Sequence, residues 1–356
     1  MQTPTCHCED PFLGRSNLSF PHLPIPGLTF RRYQGEQDLP AMLEVFQSER
    51  ITGQDLDHDD TVLESLDDIT NKYRHLTHCD PYQDVLIAEV SGQMIAYGRV
   101  TWWQIEVSGE RIYLAKWYLR PAWRGQGLEK AFLHYNQERL RQIIRQQDIE
   151  AAFSGARLFE AQAMDFQPEL ARLLEEEGFR AVQWASMMTC SDLQAVPDVP
   201  MPAGMQVRPV QPEHYRPIWD ALLEAFHDDP GYAEPSEEDY AAWRNSSQFQ
   251  PDLWQVAWEG SQITGMVLNY ITHASAGDGP GLAWTEDICV RQPWRRRGLA
   301  RALLARSMRM FRQMGFTQTS LGADFNSREG AYQLYASMGY QVISTQTIYH
   351  KPVDPV

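Results

Sequence analysis

The chain has 356 residues, of which 43% are hydrophobic and 22% are charged, values typical of a globular protein with enough apolar material for two cores. No stretch approaches the roughly 20 apolar residues that span a bilayer, and the N-terminus lacks a signal-peptide pattern, so we expect a cytoplasmic protein without a membrane partner. A net charge of -16 argues against nucleic acid, which binds basic surfaces, and is compatible with a cationic small molecule.

The beginning of the chain is predicted to be an extended N-terminal tail. Residues 1–27 contain five prolines and no apolar periodicity. Cys6 and Cys8 flank His7 and could bind a metal, but no second ligand pair follows at zinc-site spacing, so we expect no metal. The cysteine count of five is odd and the spacing irregular, which indicates reduced thiols rather than a disulfide framework.

Residues 28–190 are interpreted as a first α+β domain. The segment 28–49 predicts a short strand, a polar turn and a helix with its apolar face at Leu39, Met42, Leu43 and Phe46. The stretch "DVLIAEVSGQMIAYGRV" predicts a hairpin folded at Gly92. A strand and a helix with an apolar face follow, and a later helix ends at Gly178, a residue suited to the left-handed position after a helix.

Residues 206–356 repeat the same order after a Pro-rich linker at 191–205. A second hairpin is predicted to fold at Gly260, a second helix has Leu299, Ala302 and Leu303 on one face, and Gly339 ends the helix that matches the one before Gly178. We therefore predict two tandem α+β domains that arose by duplication, each a twisted mixed central sheet flanked by helices.

A short phrase marks the same place in both halves. "VRQPWRRRGLARALL", from Val290, agrees at seven of fifteen positions with "LRPAWRGQGLEKAFL", from Leu119. Each is the end of a strand, a glycine-containing turn and the start of a helix. The first N–H groups of a helix have no intrahelical acceptor and the helix dipole adds positive potential, so such a turn can bind a phosphate or pyrophosphate.

In the second half the context of this turn resembles the GCN5-related N-acetyltransferase (GNAT) superfamily. The pattern Arg-x-x-Gly-x-Ala follows a strand that ends in Val290, and "LYASMGY" comes some forty residues later. In that superfamily the first motif cradles the pyrophosphate of acetyl-CoA and the second supplies a general-acid tyrosine. The resemblance extends from about Leu28 to Val353, and the duplicated layout is similar to that of mycothiol synthase, without indicating a substrate.

The resemblance implies that acetyl-CoA is the cosubstrate of the C-terminal domain and that no metal takes part. The implied cofactor-binding residues are the end of the strand, the turn and helix start, and two residues nearer the C-terminus: Ile288, Cys289, Val290, Arg295, Arg296, Arg297, Gly298, Leu299, Ala300, Arg301, Asn326 and Tyr332. The asparagine lies two residues farther from the tyrosine motif than is usual for the superfamily.

The first half departs from the motif where chemistry would need it. Glu129 stands at the position of Ala300 and would place a carboxylate beside a diphosphate. Leu174 and Ala115 stand at the positions of the tyrosine and of a strand carboxylate, and neither can transfer a proton. We therefore predict one working site in the C-terminal domain and a degenerate N-terminal domain, with the spacing of Gly125 and Gly127 leaving residual CoA binding open.

The predicted catalytic residues of the C-terminal domain are Tyr335, Glu286 and Asp287. Tyr335 is the predicted general acid for the leaving thiolate. Strand alternation puts Glu286 on the same face as Ile288 and Val290, which favours Glu286 over Asp287 as the base, although a bulge would reverse this parity. Solvated edge carboxylates are the alternative for both residues.

The expected reaction is acetylation of a primary amine of a small molecule, by a monomer or a homodimer. The segment "AFHDDPGYAEPSEEDYAAW" is acidic and aromatic and would suit a cationic acceptor, while a charged helix start explains it equally well. We expect His227 to end a helix rather than to act as a base. Alternatives are acetylation of a protein N-terminus or lysine, a CoA-binding pseudoenzyme or scaffold, and a longer acyl donor.

Overall fold

The structure is a computed structural model that describes residues 20–49, 65–106, 108–150, 153–228, 232, 234–272, 281–324 and 330–354. The candidate metal pair Cys6 and Cys8 and the candidate cofactor residue Asn326 lie outside these residues. Within them, no three His, Cys, Asp or Glu side chains form a group that could hold a metal ion. None of the described helices is both long and apolar enough to cross a membrane.

The N-terminal half comprises the elements from β1 to β6. Its described strands are β1 (Leu28–Arg32), β2 (Val85–Val90), β3 (Gln93–Gln104), β4 (Arg111–Leu119), β5 (Arg157–Met164) and β6 (Arg180–Cys190). Its described helices are α1 (Leu39–Glu49), α2 (Leu66–Arg74), α3 (Pro81–Asp84), α4 (Leu128–Glu150) and α5 (Pro168–Glu176).

The C-terminal half comprises the elements from β7 to β12. Its described strands are β7 (Gln206–Val207), β8 (Gln255–Glu259), β9 (Gln262–Ile271), β10 (Ala283–Val290), β11 (Thr319–Asp324) and β12 (Gln341–Pro352). Its described helices are α6 (Tyr215–Phe226), α7 (Glu237–Asn245), α8 (Leu299–Gln313) and α9 (Ala331–Ser337).

The predicted turns are confirmed by their backbone angles. Gly92 lies in the turn of the first hairpin and Gly260 in the turn of the second, with φ of 80° and 60°. Gly178 and Gly339 follow α5 and α9 with φ of 86° and 92°.

The sequence did not predict α2, a helix that starts after Ser65, whose side chain forms a reciprocal capping box with Asp68.

All described strands join one mixed sheet in the order β1-β2-β3-β4-β5-β12-β6-β11-β10-β9-β8-β7. The last strand of each half has crossed to the other half: β12 pairs with β5, β6 pairs with β11, and β6 and β12 pair with each other at the centre. All three pairings are antiparallel. Each half therefore depends on the other to complete its sheet.

Helices cover both faces of this sheet, as its two apolar faces require. In the C-terminal half, α6 packs on one face with Ile218 and Leu222, and α8 packs on the other with Leu303 and Met308. In the N-terminal half α1 and α4 take the corresponding places. Part of the predicted tail joins this packing, since Leu23 contacts the cluster around α4.

Candidate active site

The turn before α8 is shaped as an anion site. Its backbone takes left-handed angles at Arg296, with φ of 64°, and at Gly298, with φ of 82°, directly before the helix. Apart from its chain neighbours, no heavy atom of the described residues lies within 4 Å of the place where a Cβ on Gly298 would be. The helix start is therefore open to a ligand that accepts hydrogen bonds from its N–H groups.

The arginines of this turn have different environments. The guanidinium of Arg295 donates to the carbonyls of Val290, at 3.0 Å, and Ala225, at 3.2 Å, so it ties the turn to the end of α6. Arg296 and Arg301 are exposed and available to a ligand charge. The side chain of Arg297 is exposed but donates to the carbonyl of Pro293 at 3.3 Å and lies 3.8 Å from Glu259.

The corresponding turn of the N-terminal half is closed. The N–H of Gly125 donates to Oε1 of Glu129 at 2.9 Å, so the protein's own carboxylate occupies the helix start. Leu23 from the N-terminal segment lies 3.4 Å from where a Cβ on Gly127 would be. Arg124, which stands at the position of Arg295 in the repeat, forms an ion pair with Glu49 at 3.2 Å. Glu129 thus accepts a backbone N–H that a bound anion would otherwise accept, and the loss of cofactor binding in this half stays a prediction.

A fork opens in the sheet of the C-terminal half beside the turn. Among the described residues, β10 and β11 pair in parallel at Trp284 and Ser320 and nowhere beyond. Two residues farther on, the N–H of Gly322 donates to Oε1 of Glu286 at 3.3 Å. A side chain of β10 thus bridges the gap where a backbone ladder would have continued.

A β-bulge reverses the alternation of β10, and the predicted placement of Glu286 is wrong. The register with β9 shifts between Glu286 and Cys289, and Asp287 has φ of 47°. Glu286 faces Leu268 on the α6 side of the sheet, whereas Ile288 packs on the α8 side. Because of the extra residue in the strand, Glu286 lies on the opposite face of the sheet from Ile288 and Val290.

The two candidate carboxylates differ in environment. Glu286 accepts a hydrogen bond from β11, and Asp287 sits at the bulge, where burial raises the pKa of its carboxyl group to about 6. A carboxylate with such a pKa is ionised at neutral pH and is a much stronger base than an exposed aspartate.

Tyr335 lies on α9 and is 8% exposed, in the core cluster that α8 and β11 share. Its ring makes an edge contact with Tyr340, with the ring centroids 6.4 Å apart. Tyr332 lies one turn earlier on the same helix and is partly buried against the same cluster. The side chains of Cys289 and Leu299 are buried in the cores, so any contact they make with a cofactor would use their backbone.

The N-terminal half keeps a cleft at the position of this fork. A cavity of about 60 Å³ lies between β4 and β5, with Ala115, Trp117, Met164 and Gln346 among its lining residues. Leu174, at the position of Tyr335, is fully buried.

The predicted acceptor wall lies between the two halves. His227 follows α6 as its C-terminal cap, as expected, and its ring lies 5.2 Å from that of Tyr232. The N–H of Glu106, in the turn after β3, donates to the carbonyl of Tyr232 at 3.2 Å. Farther along, Glu237 opens the first turn of α7 behind a Ser236 cap, so part of the acidic segment is a charged helix start.

The sequence interpretation missed three buried hydroxyl groups at the closed end of the fork. Thr285 donates to the carbonyl of Ser320 at 3.2 Å, Thr319 donates to the carbonyl of Ala283 at 2.9 Å, and Tyr340 meets Thr285 at 2.9 Å. The available signal was the repeat itself, because the first half has apolar residues at the matching positions.

Comparison with known proteins agrees with this geometry. Residues 219–340 match the family model described as the acetyltransferase (GNAT) family. No curated protein matches the chain. The matched segment includes the turn, the fork and Tyr335, so the C-terminal half is similar to GNAT acetyltransferase domains, which supports an acyltransferase.

Solved structures similar to the chain show the same fold over nearly its whole length. A GCN5-related N-acetyltransferase from Sphaerobacter thermophilus is 24% identical with a TM-score of 0.66, and the match covers 94% of this chain and 98% of that one. A tandem GNAT protein from the clavulanic acid biosynthesis pathway is 13% identical with a TM-score of 0.61, covering 92% and 99%. The N-myristoyltransferase of Saccharomyces cerevisiae, solved with myristoyl-CoA, is 8% identical with a TM-score of 0.59, covering 94% and 80%. The chain therefore has a tandem GNAT fold.

Proposed function

We propose that the chain transfers the acetyl group of acetyl-CoA to a primary amine of a small molecule and that its C-terminal half performs the reaction. The observation that carries this proposal is the difference between the two turns. The turn at Gly298 is open, whereas the turn at Gly127 is closed by Glu129 and Leu23. A diphosphate needs free N–H groups at a helix start, and the open turn supplies them beside exposed arginines.

Acetyl-CoA would supply the acetyl thioester, and the residues present fit it. The N–H groups at the start of α8 would hold the diphosphate together with Arg296, Arg297 and Arg301. The fork between β10 and β11 would receive the thioester end, because its strands leave a gap beyond Trp284 and Ser320. Backbone groups of Ile288, Cys289 and Val290 line one side of that gap.

The general base in this proposal is Asp287, with Glu286 as the second candidate. A protonated amine must lose a proton before it can attack a thioester, and a carboxylate with a pKa near 6 accepts that proton at neutral pH. The carboxylate of Glu286 already accepts the N–H of Gly322, which suits a role in holding the fork.

Tyr335 is the proposed general acid. A phenol with an ordinary pKa of about 10 can protonate a leaving thiolate and remains protonated until that step. Its place on α9, packed against the fork strand β11, supports this role.

The charge of the neighbouring cleft supports a cationic acceptor. Acidic and aromatic side chains line it: Asp220, Glu224, His227, Asp228, Tyr232 and Glu234. Burial, with help from Glu234, raises the pKa of Tyr232 to about 12, so its hydroxyl stays a neutral hydrogen-bond donor. Clustered carboxylates attract an ammonium group from solution and concentrate it near the wall.

The test is a screen in which thiol release from acetyl-CoA reports acetyl transfer. Small primary amines of increasing positive charge are compared with a lysine peptide and a free N-terminal peptide, and propionyl-CoA is compared with acetyl-CoA as donor. We expect turnover with small cationic amines. Turnover with peptides alone would overturn the acceptor class, and acetyl-CoA binding without any turnover would support a CoA-binding scaffold instead.

A further inference from the structure

At the closed end of the fork, the hydroxyl groups of Tyr340 and Thr285 form a chain of hydrogen bonds in which each one donates to the next acceptor. Thr285 has a single hydroxyl proton, and it donates that proton to the carbonyl of Ser320. The oxygen of Thr285 therefore accepts the hydrogen bond from Tyr340, whose hydroxyl lies 2.9 Å away. Tyr340 is 2% exposed and Thr285 is fully buried, so water does not compete for these bonds.

This chain fixes the strand at the residue before the proposed catalytic carboxylates. Thr285 immediately precedes Glu286, where the bulge of β10 begins. A second threonine, Thr319, donates from β11 back to the carbonyl of Ala283 on β10 at 2.9 Å. Two side-chain bonds running in opposite directions thus fasten β10 to β11 where their ladder stops.

Tyr340 also connects the fork to the proposed general acid. Its backbone N–H donates to the carbonyl of Tyr335 at 3.1 Å, and the two rings meet edge to face. Burial raises the pKa of Tyr340, so its hydroxyl remains a hydrogen-bond donor throughout the working pH range. One side chain therefore contacts both the strand with the carboxylates and the helix with the acid.

The N-terminal half has a corresponding fork, which opens one residue later, beyond the pair Leu114 and Glu160, and which lacks these hydroxyl groups. Phe179 follows Gly178 as Tyr340 follows Gly339, and Leu114 stands at the position of Thr285. Leu158 stands at the position of Thr319, because Tyr113 pairs with Phe159 where Trp284 pairs with Ser320. The fold thus forms a fork with apolar residues, and the hydroxyl chain occurs in the half that has the open cofactor turn.

We propose that Tyr340 is a positioning residue of the C-terminal site: through Thr285 it sets the opening of the β10–β11 fork, and through α9 it orients Tyr335. This inference rests on the proposed acetyltransferase function. Its consequence is that the hydroxyl of Tyr340 affects how the acetyl end of the cosubstrate is held, while the diphosphate turn, which it does not touch, binds as before.

The experiment compares calorimetric affinities for acetyl-CoA and for CoA in the full-length chain. Tyr340→Phe removes one oxygen, and Tyr113→Phe is the matched control, since Tyr113 is equally buried and donates to Gln147 at 2.7 Å in the other half. We expect Tyr340→Phe to lower the preference for acetyl-CoA over CoA by about fivefold, the factor for one ordinary hydrogen bond. The affinity for CoA itself and the ratio in Tyr113→Phe should stay unchanged.

Thr285 provides a second route to the same result. Thr285→Val should reproduce the loss of preference, and Thr285→Ser, which keeps the hydroxyl, should restore it. In turnover with an amine found by the screen, Tyr340→Phe should lower kcat and raise the KM for acetyl-CoA by about fivefold, in line with its weaker hold on the acetyl end. An unchanged preference in both Tyr340→Phe and Thr285→Val would overturn the proposal. Failure of the wild type to bind acetyl-CoA or CoA would instead overturn the function on which it rests.

Discussion

The two helix-start turns of this protein share a backbone and differ in what occupies them. Both place a glycine in the left-handed region before a long helix, with φ of 89° at Gly127 and 82° at Gly298. In the first turn Glu129 accepts the N–H of Gly125, and in the second the matching residue is Ala300, which has no side-chain acceptor. The side chains around the turn, Glu129 and Leu23 in the first half, therefore decide whether it is a binding site or a structural turn.

The largest expected effect tests the carboxylates of the working fork. Asp287→Asn should lower kcat by about 1000-fold, within the usual range for removing a general base. In the wild type the rate should rise with pH up to about 6 and then level off, because the carboxyl of Asp287 ionises there. A steady-state pH profile measures both effects, and Glu286→Gln is the comparison. If Glu286→Gln costs the larger factor, the assignment of the base is reversed.

Asp287→Asn should raise the free energy of unfolding although it lowers kcat. The pKa of Asp287 is raised from 3.8 to about 6 on folding, so this group destabilises the folded state progressively as pH rises between those values. Asp287→Asn should therefore gain up to about 3 kcal/mol of unfolding free energy at pH 7 and almost none at pH 3.5. Urea denaturation at both pH values measures the gain, and equal changes at both would contradict the raised pKa.

The next largest effect concerns Tyr335, the proposed general acid. Tyr335→Phe should lower kcat by about 100-fold with the affinity for acetyl-CoA unchanged, because the variant keeps the packing and removes the proton donor. Tyr113→Phe, in the core of the other half, is the control and should have little effect on kcat. A loss of acetyl-CoA affinity equal to the loss of kcat would indicate a binding role for Tyr335.

Because β6 and β12 are exchanged between the halves, we expect the two halves to unfold together. Thr347 lies in the middle of β12, paired with Trp184 of β6 on one side and Ala163 of β5 on the other. Thr347→Pro removes a ladder donor from a central strand and should cost about 3 kcal/mol or more. Calorimetry should show one transition at a lower temperature, and two separated transitions would contradict the interdependence of the halves.

The smallest expected effect concerns the closed turn. Glu129→Ala removes the hydrogen bond to Gly125 and should cost about 1 kcal/mol, the usual net contribution of one hydrogen bond. We expect no second acetyl-CoA site, because Leu23 still covers the turn beside Gly127. Thermal unfolding measures the first expectation and titration stoichiometry the second. A second binding event would show that Glu129 alone closes the site.

The sequence predicted what depends on local chemistry. Gly92 and Gly260 were identifiable as hairpin turns, and Gly178 and Gly339 as helix ends, because a left-handed backbone favours glycine whatever surrounds it. The repeated phrase located the candidate site for the same reason, since a turn and a helix start are contiguous in the chain.

What the sequence could not predict depends on partners far along the chain. The alternation of β6 and β12 is the same whichever strand lies beside them, so their exchange between the halves leaves no local signal. The bulge at Asp287 arises from the register with β9, and it inverted the expected face of Glu286. The hydrogen bond between Tyr340 and Thr285 joins residues from two distant elements and became visible only in the assembled fork.

The measurement that tests the central claim is calorimetric titration of acetyl-CoA into the intact protein and into Gly298→Glu and Gly127→Glu variants. The two glycines have similar left-handed angles, so both substitutions impose similar backbone strain of about 1–2 kcal/mol and serve as controls for each other. We predict one binding site in the wild type, retained in Gly127→Glu and lost in Gly298→Glu. Two sites, or a loss of binding in Gly127→Glu with retention in Gly298→Glu, would contradict the assignment of the working site to the C-terminal half.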